Sequence, residues 1–328
     1  MSIDTGSSRR LRVLVTGATG YVGSRLVPAL LEQGHTVLAA TRDLEALADY
    51  PWGSEVEARE FDIEDDELVE AAAAGADAVV YLVHSMASGD FVAKDREAAQ
   101  RVAAASVRAG VGRIVYLSGL VPHGDLSDHL RSRLEVEEVF LDGEVPAVVL
   151  RAAMVIGAGS TSYELLRRLS ERVPRLTPVP RWMHHRLQPV AVDDVVHLIG
   201  RALQGPDRNR HYDVGGDEVL SYPELLALFA RVAGLRRWRF TVPGLPKWLV
   251  GRACGWITGM PRSTVRALVQ SLEHDMVCEE DDVRADLLEP DYRFTPVAEA
   301  LRRSLEPAGE PGTSSGGDVH AGAATDPA

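Results

Sequence analysis

The stretch LRVLVTGATGYVGSRL, residues 11–26, constrains this chain more than any other. An apolar run of strand character ends at Gly17, and Gly20 and Gly23 follow in GxxGxxG spacing. Apolar residues then recur at helical intervals through YVGSRLVPALLEQG. A buried strand that turns on glycines directly into a helix is the first half of a βαβ unit. Glycine permits both the tight turn and the close approach of a diphosphate, whose charge meets the unpaired amides at the helix start. The expected nucleotide contacts in this turn are Gly17, Thr19, Gly20, Tyr21, Val22 and Gly23.

The alternation continues. Strands are predicted at TVLAATR (36–42), VEAREFDI (56–63), DAVVYLVHS (77–85), RIVYLSG (113–119) and AVVLRAAMVIG (147–157), with helices ELVEAAAAGA, DREAAQRVAAASVRAG and SRLEVEEVFLDG between the later ones. This pattern gives an α/β chain with a Rossmann-type doubly wound parallel sheet. Beyond Gly157 the rhythm loosens. Helices YELLRRLSERVP and SYPELLALFARVAG, and brief strands in HRLQPVAV and HYDVGG, read as sheet completion plus a smaller C-terminal substrate lobe. The expected divisions are a flexible arm at 1–10, a dinucleotide-binding domain at 11–157, an intertwined part at 158–306 and a disordered tail at 307–328. The tail is small, polar and rich in Pro and Gly, with no apolar period.

Composition narrows the function. Among 328 residues, 45% hydrophobic, the formal net charge of −13 leaves no dominant basic face for nucleic acid. Only Cys254 and Cys278 occur, without CxxC spacing, so both read as ordinary thiols. No stretch is apolar for long enough to span a bilayer, and a soluble cytoplasmic protein is expected. In VPGLPKWLVGRACGWITGMP (242–261) Leu245, Trp248, Leu249, Ala253, Trp256, Ile257 and Met260 fall at helical spacing. Packing of that stripe on the protein itself is the expected reading, with a bilayer-surface contact as the alternative.

Ligands of open parallel sheets sit beyond the carboxyl ends of the strands. The second strand ends Ala40-Thr41-Arg42: Thr41 stands where an acid would take ribose hydroxyls and Arg42 follows, which favours NADP(H) over NAD(H). The alternative is a solvated Arg42 beside Asp43. Asp62 is placed to reach an adenine amino group or to cap a helix, and Ile63 to cover the ring. Leu82, Val83 and His84 end the fourth strand, and Ser118 the fifth.

In TGATGYVG, FDI, AVVYLVHS, RIVYLSG, VPAVVLRAAMVIG, QPVAVDDV and HYDVGG, taken in order, the chain resembles the short-chain dehydrogenase/reductase superfamily, over about residues 11–305. The resemblance is to its extended and atypical, NAD(P)H-binding or epimerase-like, branches. It implies a Ser orienting the substrate carbonyl, a Tyr transferring the proton, and a Lys four residues later on the nicotinamide ribose. Ser118 matches the first. The YxxSKxxxE pattern falls on His129, Ser132, Arg133 and Glu137, so His replaces Tyr and Arg replaces Lys. A His is a competent acid/base near neutrality, and Arg133 keeps the charge without titrating. The alternative is an exposed helix with pairs Arg131–Glu135 and Arg133–Glu137. His84 is a second candidate acid or, equally, a structural residue.

Three further features read as structural. His184-His185 on a strand would face opposite ways and make a poor chelate, so no metal is expected. Asp193-Asp194 reads as a helix cap. Trp182, Met183, Trp248, Trp256 and Tyr163 read as lobe core or as the wall of an apolar substrate cavity. The expected function is an NADPH-dependent oxidoreductase or epimerase-like enzyme on a small apolar carbonyl or enone, with Ser118, His129, Arg133 and His84 as catalytic candidates. The alternative is a non-catalytic redox sensor or assembly subunit, and a nucleotide-sugar epimerase proper is disfavoured by the missing Tyr. Helices around 92–109 and 133–141 are candidate surfaces for a homodimer.

Overall fold

The structure is a computed structural model and describes residues 9–83, 91–124, 126–173, 176–260, 265, 268–270 and 272–306. His84 and the tail expected at 307–328 lie outside the described residues.

Seven parallel strands form the central sheet. They are β1 (Arg12–Thr16), β2 (Thr36–Thr41), β3 (Glu57–Glu60), β4 (Ala78–Tyr81), β5 (Arg113–Gly119), β6 (Ala147–Ala152) and, far later in the chain, β11 (Arg210–Val214), in the order β11-β6-β5-β4-β1-β2-β3. Strand order reverses between β1 and β4, and there the crossovers leave in opposite directions and open a crevice. Helices α1 (Gly23–Glu32) and α6 (Val192–Ala202) cover one face, where Leu26, Leu30, Val195 and Ile199 pack on Val13, Val15, Val80 and Val115. On the other lie α2 (Asp66–Ala73), α3 (Phe91–Ala109) and α4 (Asp128–Leu141), whose alanines and Val136 and Phe140 meet Leu14, Val79, Tyr81 and Tyr116. Small residues on α3 let it lie close to the sheet; each large apolar side chain buried here contributes about 1.5–3 kcal/mol.

The run 147–157, expected as one strand, is two. After Ala152 the chain steps out of the sheet, and β7 (Val155–Ile156) pairs with β10 (Val190–Ala191) instead. This step separates the sheet from a lobe built on α5 (Thr161–Arg172), strands β8 (Leu176–Pro180) and β9 (Arg186–Leu187), strand β12 (Leu220–Ser221), α7 (Tyr222–Val232), β13 (Trp238–Val242), α8 (Lys247–Thr258) and the helix Val297–Leu305. Its core joins Ile156, Tyr163, Leu166, Met183, Leu225, Phe229 and Leu301. Tyr163 is therefore core, its hydroxyl donating to Ser304 O at 3.0 Å.

Two expectations for this part are corrected. Asp193-Asp194 do not cap α6, whose N-cap is Ala191 without a side-chain acceptor. Asp194, 3% exposed, instead accepts from Tyr292 Oη (2.7 Å), Thr295 N (2.9 Å) and Thr295 Oγ1 (3.2 Å), because the returning C-terminal segment crosses the helix start there. Trp248 and Trp256 belong to neither core nor cavity: they are 67% and 87% exposed. Helix α8 turns Cys254 and Thr258 inward against α5, and its last carbonyls accept from Arg168 and Arg172.

Candidate functional site

The crevice at the carboxyl ends of β1, β4 and β5 continues into a cavity of about 360 Å³ between sheet and lobe. Gly17, Gly20, Tyr21, Val22 and Gly23 form its floor, with Leu82 and the Leu117-Ser118-Gly119 strand end beside them. The turn has no room for side chains. Gly17 holds φ +70°, and a Cβ on Gly23 would lie 2.1 Å from Gly17 O. Gly20 N donates to Gly17 O at 2.9 Å, and Tyr50 Oη donates to Thr19 O at 2.8 Å, pinning the bend from outside. Helix α1 starts there with no side-chain cap and no acid in its first turn; Ser24 N donates to Gly20 O at 2.8 Å and Arg25 N to Val22 O at 3.2 Å, and the positive end of the helix dipole faces the crevice. Tyr21 packs against Gly157, where a Cβ would come within 2.0 Å of its hydroxyl, and the Arg25 guanidinium stacks over the ring at 4.1 Å.

The remaining nucleotide candidates lie along the sheet edge outside the cavity. Arg42 is exposed at the end of β2 and makes no ion pair among the described residues. Its neighbour Asp43 is occupied, accepting from Glu45 N (3.0 Å) and Ala46 N (3.3 Å). Asp62 does not cap α2. That role falls to Asp65, which accepts from Glu67 N and Leu68 N because the helix begins only at Asp66, while Asp62 accepts from Glu64 N at 2.9 Å. Ile63 and Val83 are half-buried against the α2–α3 face, and Val83 lies beneath Gly17.

Ser118, His129 and Arg133 converge on the cavity. Ser127 caps α4 through Leu130 N, so His129 sits in the first turn with Arg133 directly above it. Arg133 Nε donates to His129 Nε2 at 3.3 Å and Nη1 donates to Leu117 O at 3.2 Å. Gly119 lies alongside Arg133, where a Cβ would stand in ordinary contact with Arg133 Cδ at 3.4 Å. The exposed-helix alternative does not form. Arg131 pairs with Asp128 at 3.1 Å, and Glu137, its side chain 1% exposed, holds Arg151 of β6 through contacts of 2.6 and 3.0 Å. Glu137 lies on the buried face of α4, so it meets the sheet rather than Arg133. Ser118 Oγ is buried beside the Tyr116 phenol, without completing a hydrogen bond to any described residue. Burial pushes Tyr116 up to about 12, against the pull of Arg133.

The lobe supplies what sequence reasoning missed. Met154, Leu165, Leu187, Leu268, Leu272 and Met276 make the far wall apolar, and Tyr222 adds one hydroxyl. Tyr222 is 3% exposed, and its Oη has no hydrogen-bond partner among the described residues; burial raises its ionisation far above the ordinary phenol, so it stays a neutral donor. The signal available in sequence was the Ser221-x-x-Glu224 capping box, which locates the helix start but not what faces it. Of the other residues singled out, Trp182 donates to Leu245 O at 3.1 Å. His184 contacts Thr241, and His185 contacts Asp275 at 3.2 Å.

The NAD(P)H-binding family model matches residues 17–152. A curated protein of Mycobacterium tuberculosis is 30% identical over 197 residues, 59% of this chain, and the chain spans only 20% of that relative's length. The mitochondrial NADH dehydrogenase [ubiquinone] 1 alpha subcomplex subunit 9 of Arabidopsis thaliana is 28% identical over 68% of this chain and 58% of its own. A (4-alkanoyl-5-oxo-2,5-dihydrofuran-3-yl)methyl phosphate reductase of Streptomyces griseus is 30% identical over 230 residues, 68% of this chain and 74% of the reductase. Among solved structures, Citrobacter triphenylmethane reductase superposes with a TM-score of 0.72 at 18% identity, covering 90% of this chain and 99% of that one. The chain belongs to the NAD(P)H-binding, atypical branch of the short-chain dehydrogenase/reductase superfamily.

Proposed function

We propose that the protein is an NADPH-dependent reductase of a small, largely apolar enone or carbonyl compound. The observation that carries this reading is the junction of the glycine turn with a cavity whose walls are apolar except at Ser118, His129, Arg133 and Tyr222 and at the start of α5. The turn and the uncapped start of α1 would hold the diphosphate, and Arg42, exposed without an ion-pair partner among the described residues, would take a 2′-phosphate. Asp62 and Ile63 would flank the adenine. Leu82 and Val83 would support the nicotinamide half, and Arg133 would reach its ribose.

When bound, the reduced nicotinamide supplies a hydride. The protein's own task is to fix the acceptor and provide a proton. Ser118 Oγ and Tyr222 Oη are buried at the cavity wall without a hydrogen-bond partner among the described residues, and a substrate oxygen that reached them would satisfy them, favouring a bound carbonyl over a hydrocarbon. Arg133 donates into His129 Nε2, which orients the ring, and His129 would return a proton to the reduced oxygen or carbon. The Streptomyces relative, by its name, reduces an unsaturated ring lactone bearing an alkanoyl chain and a methyl phosphate group; the conjugated ring supports an enone, while the phosphate adds a charged group to an otherwise apolar acceptor.

A second reading is favoured by the same Arg133–His129 bond, which ties up one imidazole nitrogen where a free phenol would otherwise stand. In that reading the chain binds the nucleotide without turnover. The Arabidopsis relative is, by its name, one subunit of a larger NADH dehydrogenase, which supports a role of this kind.

The test is NADPH absorbance with the purified chain and a panel of enones, quinones and aldehydes. Consumption is expected with at least one, and His129→Ala should slow it by about 10²-fold or more while sparing NADPH affinity. Turnover unchanged in that variant removes His129 from the mechanism; no consumption across the panel favours the second reading.

A further inference from the structure

Five of the eight large hydrophobic residues exposed among the described residues lie between Trp238 and Trp256: Trp238 (74%), Phe240 (46%), Trp248 (67%), Leu249 (43%) and Trp256 (87%). Single exposed apolar residues need no explanation, but concentration on two consecutive elements does. On α8 the pattern is specific. Trp248, Arg252 and Trp256 follow one another at i, i+4 and i+8 and so share a face, with Leu249 and Ala253 beside them, and all five are exposed. The helix turns its largest apolar residues to solvent, the reverse of a helix whose apolar stripe serves a core.

The charge of the region is equally one-sided. Between Glu224 and Glu273 the sequence holds no acidic residue and eight Arg or Lys, in a chain of net charge −13. Arg236 and Arg252 are exposed and make no ion pair among the described residues.

We infer that the outer face of α8 forms a peripheral docking surface for an anionic lipid bilayer, with Trp248 and Trp256 entering the interfacial layer and Arg252 meeting the headgroups. Amphipathic indole rings favour that layer, and basic residues beside them are drawn to anionic lipid. No helix among the described residues is long and apolar enough to span a membrane, so the contact lies on the surface. A second copy of this chain fits the face less well, because a twofold contact would set Arg252 against Arg252. Single-stranded nucleic acid fits less well too: an outward helix with Leu249 and Ala253 in its stripe provides no groove for a phosphate backbone.

The test uses the full chain with sedimented vesicles of phosphatidylcholine, with and without phosphatidylserine. Binding is expected to the anionic vesicles, to weaken with salt, and to fall at least tenfold in the Trp248→Ala/Trp256→Ala double variant and in Arg252→Glu. NADPH binding by these variants should be unchanged, which shows that they fold. The inference is overturned by the absence of binding to anionic vesicles or by undiminished binding in the double variant. It is equally overturned by a vesicle-independent dimer, or an oligonucleotide complex, that the double variant abolishes.

Discussion

Two glycine-bearing helices of this protein treat their surroundings in opposite ways. Helix α1 begins at Gly23, where a Cβ would strike a backbone oxygen at 2.1 Å, and buries Leu26, Val27 and Leu30 completely. Helix α8 carries Gly251, where a Cβ would meet nothing within 4 Å, and leaves Trp248 and Trp256 outside. The first helix is fixed by what it must admit at its N-terminus, and nearly every atom around it is committed. The second is held by one narrow face and the arginines at its C-terminus, and its outer face is free to meet something else.

The sharpest way to break this contrast is Gly23→Val. The substituent has nowhere to go without moving the turn, so NADPH binding should fall beyond detection, by titration of protein whose fold is checked by circular dichroism. Retained affinity would mean that the turn does not approach a ligand closely. Next in size is Glu137→Ala, which leaves the Arg151 guanidinium without its counter-ion beneath α4. Removing one partner of a buried pair costs about 3–5 kcal/mol, to be read from urea denaturation. A loss under about 1 kcal/mol would show that α4, with His129 and Arg133, is anchored by other contacts. Arg42→Ala acts at the other end of the cofactor groove and should cut NADPH affinity about tenfold, the ~1.4 kcal/mol scale of one partly exposed charge-assisted contact, while leaving NADH unchanged. Equal losses for both coenzymes would contradict a 2′-phosphate role. The smallest effect belongs to α8: Trp256→Ala should shift stability by no more than about 0.5 kcal/mol, as expected of an exposed side chain. A larger loss would mean that the ring is packed.

The same contrast explains what could be read from sequence. Parallel strands and crossover helices announce themselves through period and punctuation, and the glycine turn is written in three contiguous positions, so the sheet and the nucleotide floor were legible. His129 and Arg133 could be aligned to a pattern, but whether Arg133 faced solvent or Leu117 O depended on the β5 end lying beside α4 and on Glu137 being taken by Arg151, long-range facts without a local signature. Asp194 read as a cap because its tie to Tyr292 and Thr295 spans about a hundred residues of chain. For α8, periodicity found the stripe of Trp248, Leu249, Ala253 and Trp256 and assigned it to a core. An amphipathic pattern says that a face is apolar; it does not say what covers it. Tyr222 and the Leu268–Met276 wall were invisible for a related reason, since the cavity exists only after the lobe has closed on the sheet.

The central claim is that the crevice between β1 and β4 holds a pyridine dinucleotide across the glycine turn. Isothermal titration of the purified chain with NADPH tests it most directly: saturable one-to-one binding is expected, lost in Gly23→Val. Folded wild-type protein that gives no binding signal with NADPH or NADH would contradict it.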